Sequence, residues 1–214
     1  MITSFREPIN ASTHLAGALF FLAGGVLLVR AASATGEFHA VFSSLVFTAG
    51  LVGLYASSAI YHAVQASPPV IRRLRNLDHS MIYVLIASTY TPICLTGLDR
   101  GRILLVIWGA ALAGVALRLT SVSVHRWVYT GFYLALGWSA VLLVCPLVQR
   151  FSLFPLFLLV LGGALYTVGA IIYGKHSPSL RIGPFRYHEI FHLFILAGSL
   201  AHFLFVYFFV FRPL

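Results

Sequence analysis

Two closely spaced residue pairs and one aspartate carry the chemistry that this sequence offers. His188 and His192 are four residues apart, which places their imidazoles about 40° apart on one face of a helix. Ser58 and His62 have the same spacing in an earlier apolar segment, and Asp78 follows a short arginine-rich stretch. Ionisable groups in or beside membrane segments are costly, so each of them indicates a functional site.

Three imidazoles with one open position are the ligand set of a catalytic zinc site, and His62, His188 and His192 are the candidates. Imidazole also suits copper, iron and nickel, but neutral nitrogen ligands in a non-redox setting favour zinc. Asp78 is placed to hydrogen-bond a water on the metal or the free nitrogen of a ligand histidine, and Ser58 could do the same from one turn away. The predicted catalytic residues are therefore Asp78 and Ser58, and the predicted cofactor is zinc.

The segment from His188 to His192 also matches the H-E-x-x-H pattern of zinc proteases. In that interpretation the two histidines bind zinc and Glu189 is the general base. No acidic third ligand follows downstream, since an arginine is the only charged residue after His202. The third ligand must come from upstream, where His62 is the best candidate. An intramembrane protease is therefore the less favoured alternative.

Other polar residues are candidates for secondary roles: Glu7, Asn10, His14, Glu189 and His202. His202 lies about 15 Å beyond His192 along a helix, too far to share its metal, and we expect it to face the bundle interior and make a hydrogen bond. His14 is expected to pair with Glu7, Asn10 or the loop before the last span. The remaining histidines are interpreted as groups at the membrane boundary: His39, His79, His125 and His176.

The composition indicates that membrane-spanning helices position these residues. Of the 214 residues, 60% are hydrophobic and 9% charged, against about 25% charged in soluble domains. The net charge of +9 comes from basic residues between apolar runs, a topology signal and not a nucleic-acid-binding face. Seven runs have the roughly 20 apolar residues that a span requires: residues 14–32, 39–63, 80–98, 103–120, 127–148, 153–173 and 190–211. The sequence predicts an all-α, polytopic seven-helix transmembrane bundle, forming a single domain over residues 1–214.

The distribution of Lys and Arg predicts the orientation of this bundle. Nine of the fourteen would lie inside: Arg6, Arg72, Arg73, Arg75, Arg118, Arg126, Lys175, Arg181 and Arg186. The other five would lie outside: Arg30, Arg100, Arg102, Arg150 and Arg212. Cytoplasmic connections are enriched in basic residues, so we expect a cytoplasmic N-terminus and an external C-terminus. His62, Asp78 and the His188–His192 pair then all fall at the inner membrane boundary.

At these residues the sequence resembles the hemolysin III family, the bacterial branch of the progestin and adipoQ receptor (PAQR) family, which includes the adiponectin receptors. The likeness covers nearly the whole chain and rests on a series of motifs: Glu7-Pro8-Ile9-Asn10 with His14, Ser58-x-x-x-His62, Asp78, His188-x-x-x-His192, and Leu196-Ala197-Gly198-Ser199 with His202. The resemblance implies seven helices, an inside N-terminus and a zinc ion near the inner leaflet. It implies that His62, His188 and His192 bind the zinc and that Asp78 orients its water, with Ser58 nearby.

The resemblance leaves more than one function open. The wider superfamily includes ceramidases, so the leading hypothesis is a zinc-dependent hydrolase of a lipid amide or ester with a role in membrane lipid homeostasis. The alternatives are a receptor-like or membrane-state sensor with structural zinc, and a lytic membrane protein, as the family name says. The expected partners are membrane lipids and a small-molecule or lipid ligand inside the bundle, without nucleic acid. The expected location is the bacterial inner (plasma) membrane.

Overall fold

Seven helices long and apolar enough to cross a membrane make up the computed structural model, which describes residues 5–120, 124–177 and 179–211. The helices are α1 (Pro8–Ser33), α2 (Phe38–Ala63), α3 (Pro68–Pro92), α4 (Gly101–Leu119), α5 (Arg126–Trp138), the short α6 (Val144–Arg150), α7 (Leu153–Lys175) and α8 (Tyr187–Phe205). A π-helical turn extends α3 (Ile93–Gly97) and another extends α8 (Val206–Val210). Within the described residues, α5 and α6 together form one span, and the prediction of an all-α, seven-span bundle is confirmed.

The helices satisfy the two demands that lipid makes on a chain. Every backbone amide in the hydrocarbon region must find its hydrogen bond within the protein, which a helix provides by itself. The 26 residues of α1 extend about 39 Å, more than the roughly 30 Å of a hydrocarbon core. Large apolar side chains remain exposed on the outer faces, such as Leu105 (74%) and Leu153 (86%), where lipid can cover them.

The first three helices pack closely because small residues lie at their contacts. Gly25 of α1 faces Thr48 of α2, and Gly50 of α2 faces Ser88 of α3, so closely that a Cβ at either glycine would overlap the opposite side chain. Small residues at helix contacts let two backbones approach each other in a membrane. The ends of α2 and α3 that carry His62 and Asp78 therefore belong to one closely packed unit.

The third span begins earlier than predicted. The predicted span starts at Ser80, after the arginine-rich stretch, but helix α3 starts at Pro68 and includes that stretch. Pro68 and Pro69 occupy the first turn, where the missing N–H of proline is not needed. The helix extends beyond the predicted span because apolar length alone was counted, whereas the first turns of α3 are amphipathic and keep Asp78 buried.

The fifth span is not the single helix that was predicted over residues 127–148. A 3₁₀ segment, Ser139–Leu143, separates α5 from α6. Pro146 lacks the N–H that would continue an α-helix through this region, and its ring crowds the carbonyl four residues earlier. The hydroxyl of Ser139 also donates to the carbonyl of Leu136 at 2.6 Å, which leaves the interruption with satisfied polar groups.

A short β-hairpin precedes the last helix. Strand β1 (Arg181–Ile182) pairs antiparallel with β2 (Phe185–Arg186), and Gly183 between them has a φ of 58°. A positive φ is accessible to glycine without steric cost. The hairpin ends directly at the residue before α8, so it sets where that helix begins.

Reporter fusions test the predicted orientation. Arg212, one of the residues predicted to lie outside, is not in the described part of the chain. Alkaline phosphatase, which folds only outside the cytoplasm, is expected to be active when fused after Gly36 or Leu214 and inactive after Ser177. The physical reason is the excess of Lys and Arg on the inner side. A fluorescent protein at the same three positions is the matched control, and activity only after Ser177 would reverse the orientation.

Candidate metal centre

Three histidines from two helices form a compact cluster. His62 lies in the last turn of α2, whereas His188 and His192 lie in the first two turns of α8. One ring nitrogen of each lies within 4.8 Å of those of the other two. The ring centroid of His62 is 5.0 Å from that of either partner, and the centroids of the two partners are 4.8 Å apart. The three residues are thus positioned to bind one metal ion.

A cap fixes the start of α8 and with it the two histidines. The carboxylate of Glu189 accepts a hydrogen bond from the backbone N–H of Arg186 at 2.9 Å. This bond satisfies one of the free amides at the start of the helix, and the negative charge suits the helix N-terminus. His188 and His192 then project one turn apart from the same side of α8.

Glu7 holds His62 from the side opposite the cluster. Its Oε2 lies 2.7 Å from Nδ1 of His62 and accepts a second hydrogen bond from Nδ2 of Asn10 at 3.1 Å. The hydrogen bond with His62, outweighing the opposing effect of burial, lowers the pKa of Glu7 from 4.5 to about 2. Glu7 is therefore ionised at neutral pH. Carboxylate–histidine pairs of this kind orient a metal-binding imidazole.

Backbone contacts attach this short segment before α1 to the end of α2. The N–H of Glu7 donates to the carbonyl of His62 at 2.9 Å, and the N–H of Arg6 donates to that of Ala63 at 3.2 Å. The guanidinium of Arg6 donates to the carbonyl of Tyr61 at 2.7 Å and lies 4.5 Å from the centroid of its ring. These bonds fix the Glu7 carboxylate relative to His62.

The donor set fits a metal ion. A carboxylate only accepts hydrogen bonds, so Nδ1 of His62 carries the proton in its bond with Glu7, and in the neutral ring Nε2 has a free lone pair. That Nε2 is buried and has no hydrogen-bond partner among the described residues. Leaving such an acceptor unpaired costs about 1–3 kcal/mol, and coordination to a metal would remove this cost. Three imidazole ligands suit zinc as well as copper, iron and nickel.

His14 stacks on the cluster without belonging to it. Its ring lies 3.6 Å from that of His192, centroid to centroid, at an interplanar angle of 16°, and it meets Tyr55 edge-on at 5.0 Å. The predicted pairing of His14 with Glu7, Asn10 or the loop before α8 was wrong. Glu7 is bonded to both Asn10 and His62 instead, and the flat face of His192 is the neighbour of His14.

Asp78 and Ser58 lie together beside the histidines. Asp78 is buried in α3, and Ser58, one turn before His62 in α2, is buried close to its carboxyl group. His62 and Arg118 both act electrostatically on this carboxyl group. The spacing of Ser58 and His62 in one helix therefore places the Asp78 carboxyl and the Ser58 hydroxyl next to a candidate metal ligand.

A long cavity opens beside this site. It encloses about 600 Å³, mainly among α3, α5 with α6, α7 and α8, and it reaches Ser58 of α2; Asp78, His188 and His192 also border it. Its α3 wall runs from Asp78 to Ile93, which is about 22 Å along a helix. Apolar side chains line most of its surface. The cavity can therefore hold an extended apolar molecule with one end at the histidine cluster.

Comparison with known proteins assigns this architecture to a family. The family model described as "Haemolysin-III related" matches residues 2–203. The chain belongs to the haemolysin-III family. The resemblance found in the sequence motifs is thereby confirmed.

Relatives of this haemolysin-III chain include bacterial and more distant eukaryotic proteins. The "Hemolysin-3 homolog" of Bacillus subtilis is 36% identical over 213 residues, covering 98% of this chain and 96% of the relative. "Hemolysin-3" of Bacillus cereus is 35% identical over 209 residues, covering 96% and 92%. The "ADIPOR-like receptor IZH2" of Saccharomyces cerevisiae is 25% identical over 224 residues, covering 92% of this chain and 69% of the relative.

The candidate residues of this haemolysin-III chain do not all meet at the cluster. Asp78, Ser58 and His14 border the cavity together with His188 and His192, whereas Glu7 contacts His62 and Asn10 contacts Glu7. Glu189 directs its carboxylate to the start of α8, and His202 lies deeper in the bundle, hydrogen-bonded to its own helix.

The sequence analysis missed cavity residues that have no motif of their own. His79, interpreted as a boundary residue, borders the cavity with Tyr173, whose hydroxyl lies 3.4 Å from its Nε2. Arg118 of α4 also borders the cavity. The position of His79 next to Asp78 was the one available signal, and it became informative only once α3 was seen to include both residues.

Proposed function

We propose that this haemolysin-III protein is a zinc-dependent hydrolase of a lipid amide or ester, similar to a ceramidase, that acts in membrane lipid homeostasis. One observation carries the proposal: a three-histidine cluster, an aspartate–serine pair and a long apolar cavity meet at one place. The cluster suits a metal, the pair suits proton transfer, and the cavity suits an acyl chain.

The residues of the chain divide the reaction between them. Zinc in the cluster would supply a Lewis acid that acidifies water and polarises a carbonyl oxygen. Asp78 accepts a proton from water and directs the water oxygen at the carbonyl carbon. Ser58 directs its one hydroxyl proton at the Asp78 carboxylate and holds that group in place. As the carbon–nitrogen or carbon–oxygen bond breaks, Asp78 returns the proton to the leaving amine or alcohol.

The shape and polarity of the cavity support a lipid substrate over a peptide. An acyl chain can lie along the apolar wall from Asp78 to Ile93 with its carbonyl at the cluster. A peptide bond within a membrane helix would reach the site only after that helix unwound, which is costly in lipid. A protease would also need Glu189 as its base, but this carboxylate caps α8.

Two other functions remain as candidates, each supported by a likeness. The yeast relative is named a receptor, which supports a membrane-state sensor in which zinc is structural. The two Bacillus relatives are named hemolysins, which supports a lytic role. For all three functions we propose a bacterial inner-membrane location and membrane lipids as partners, because the cavity lies within a multi-pass bundle.

A lipid comparison tests the hydrolase. The purified chain is reconstituted with zinc into vesicles made from extracted bacterial lipids, beside protein-free vesicles and vesicles with His192→Ala or His39→Ala. We expect free fatty acid to accumulate, with matching loss of an amide or ester lipid, only for the wild type and His39→Ala. His39 is exposed and lies in α2 at the end opposite His62, so its replacement is the matched control.

The same comparison separates the alternatives. Identical lipid profiles in all four samples would count against the hydrolase function and favour the membrane-state sensor. Leakage of a dye trapped in the vesicles, without any change in lipid composition, would support the lytic role instead.

A further inference from the structure

A second polar position lies deep in the cavity, away from the histidine cluster. His202 and Tyr166 border the cavity among mainly apolar neighbours. His202 follows His192 by ten residues in α8, which places it about 15 Å further along the helix. Polar groups at such a depth are expensive to maintain and indicate a function.

The hydrogen bond of His202 determines what its ring offers to the cavity. Its Nδ1 lies 2.8 Å from the carbonyl oxygen of Gly198. A carbonyl only accepts, so Nδ1 is the protonated nitrogen, and a neutral ring within a membrane then carries a lone pair on Nε2. Among the described residues, no hydrogen bond reaches this Nε2. Because His202 borders the cavity, this Nε2 is the candidate acceptor there.

The surroundings hold the imidazole in this orientation. Tyr166 stacks on it with a centroid distance of 5.3 Å and an interplanar angle of 9°. On another side the ring lies so close to Gly162 of α7 that a Cβ there would overlap it. The ring is therefore fixed by its neighbours and by its bond to Gly198, and Nε2 cannot turn away to find another partner.

Neighbouring hydroxyl groups at this depth are already used within the protein. Tyr55 donates to Ser199 at 2.6 Å, and the hydroxyls of Ser199 and Tyr166 lie 2.8 Å apart. Thr167 donates to the carbonyl of Gly163 at 2.7 Å and accepts from the indole of Trp138 at 2.9 Å. Each of these hydroxyl groups therefore has a hydrogen-bond partner within the protein.

We propose that His202 is a specificity-determining residue that binds a hydrogen-bond donor on the acyl chain of the ligand. The substrate class is then an acyl lipid with a hydroxyl about 15 Å from the carbonyl held at the cluster. The choice of carbonyl end rests on the proposed hydrolase function, whereas the recognition of the hydroxyl is a binding property. An unpaired acceptor in an apolar cavity is unfavourable, and a ligand hydroxyl would satisfy it.

Binding of defined fatty acids tests this inference without any turnover. The affinities of 12-hydroxyoctadecanoate, 2-hydroxyoctadecanoate and octadecanoate are measured for the zinc-loaded chain in lipid nanodiscs. We expect the 12-hydroxy acid to bind roughly 2- to 13-fold more tightly than octadecanoate, the contribution of one neutral hydrogen bond. The 2-hydroxy acid, whose hydroxyl lies next to its carboxylate, is expected to show no such gain at His202.

Variants identify the residue that discriminates. His202→Phe keeps a flat ring against Tyr166 and removes the acceptor, so octadecanoate should bind as before while the preference falls to about one. Thr167→Val, in the same region but bonded internally, is the control and should keep the preference.

Two outcomes would overturn the proposal. One is an equal affinity of the wild-type chain for the 12-hydroxy acid and octadecanoate, which would mean that water alone occupies Nε2. This measurement uses only the wild-type chain, so it does not depend on the folding of a variant. The other is a preference that survives in His202→Phe. If the wild-type chain prefers the 12-hydroxy acid over octadecanoate but hydrolyses no lipid, the hydrolase function is rejected and the binding role of His202 is retained.

Discussion

Replacing His192 with alanine is expected to remove stoichiometric zinc from the purified chain, from about one ion per chain to almost none. The same loss is expected for His62→Ala and His188→Ala, because each removes one of three ligands whose nitrogens lie within 4.8 Å of one another. Two remaining imidazoles cannot complete the three-ligand set of a zinc site. Metal analysis of chains purified without chelator and adjusted to equal protein concentration measures this directly.

Two further variants show whether the loss is specific. His39→Ala should keep its zinc, since His39 is exposed and outside the cluster. Glu7→Ala should lose about 10–100-fold in zinc affinity, the usual cost of removing a carboxylate that orients a ligand histidine. Full zinc in His188→Ala together with lost zinc in His202→Ala would show that the ligand set is wrong.

Asp78→Asn should keep zinc and lose lipid turnover by about 10²–10⁴-fold, the range for removing a general base. Asparagine matches aspartate in shape and can still hydrogen-bond with Ser58, so the packing of α3 against α2 should survive. Its amide cannot take a proton from water. Turnover and metal content of the same preparation, measured on the lipid identified by the vesicle comparison, test both parts of this expectation.

Glu189→Gln is the matched control for Asp78→Asn, because both replace a carboxylate with an amide. It removes a charge from the start of α8, where Glu189 accepts from Arg186, and should leave turnover nearly intact. The protease mechanism predicts the reverse pattern, with Glu189 essential and Asp78 dispensable. Loss of zinc from Asp78→Asn would show that Asp78 supports the metal site instead of the proton transfer.

Short-range spacing made part of the site predictable from sequence. The interval of four residues places His188 above His192, and Ser58 before His62, in any helix that contains them. The apolar run lengths likewise predict seven spans, because lipid thickness sets a minimum helix length. Both inferences depend on local geometry that tertiary contacts leave unchanged.

Long-range contacts account for what the sequence could not provide. The bond between Glu7 and His62 joins residues that are 55 positions apart, and no periodicity relates them. The stack of His14 on His192 depends on how α1 meets α8. The early start of α3 escaped prediction for a different reason: hydropathy measures the part of a helix inside lipid, and α3 continues beyond it.

The separation of the ligands between α2 and α8 also imposes an order on biosynthesis. His62 and His188 are 126 residues apart, so at about 5–20 residues per second the ribosome adds the second roughly 6–25 s after the first. During that interval the nascent chain can already form the bond between Glu7 and His62, but His188 and His192 are not yet present beside that imidazole. A chain truncated before α8 cannot assemble the cluster at all. Bound metal would therefore mark a polypeptide whose last described helix has been inserted and docked.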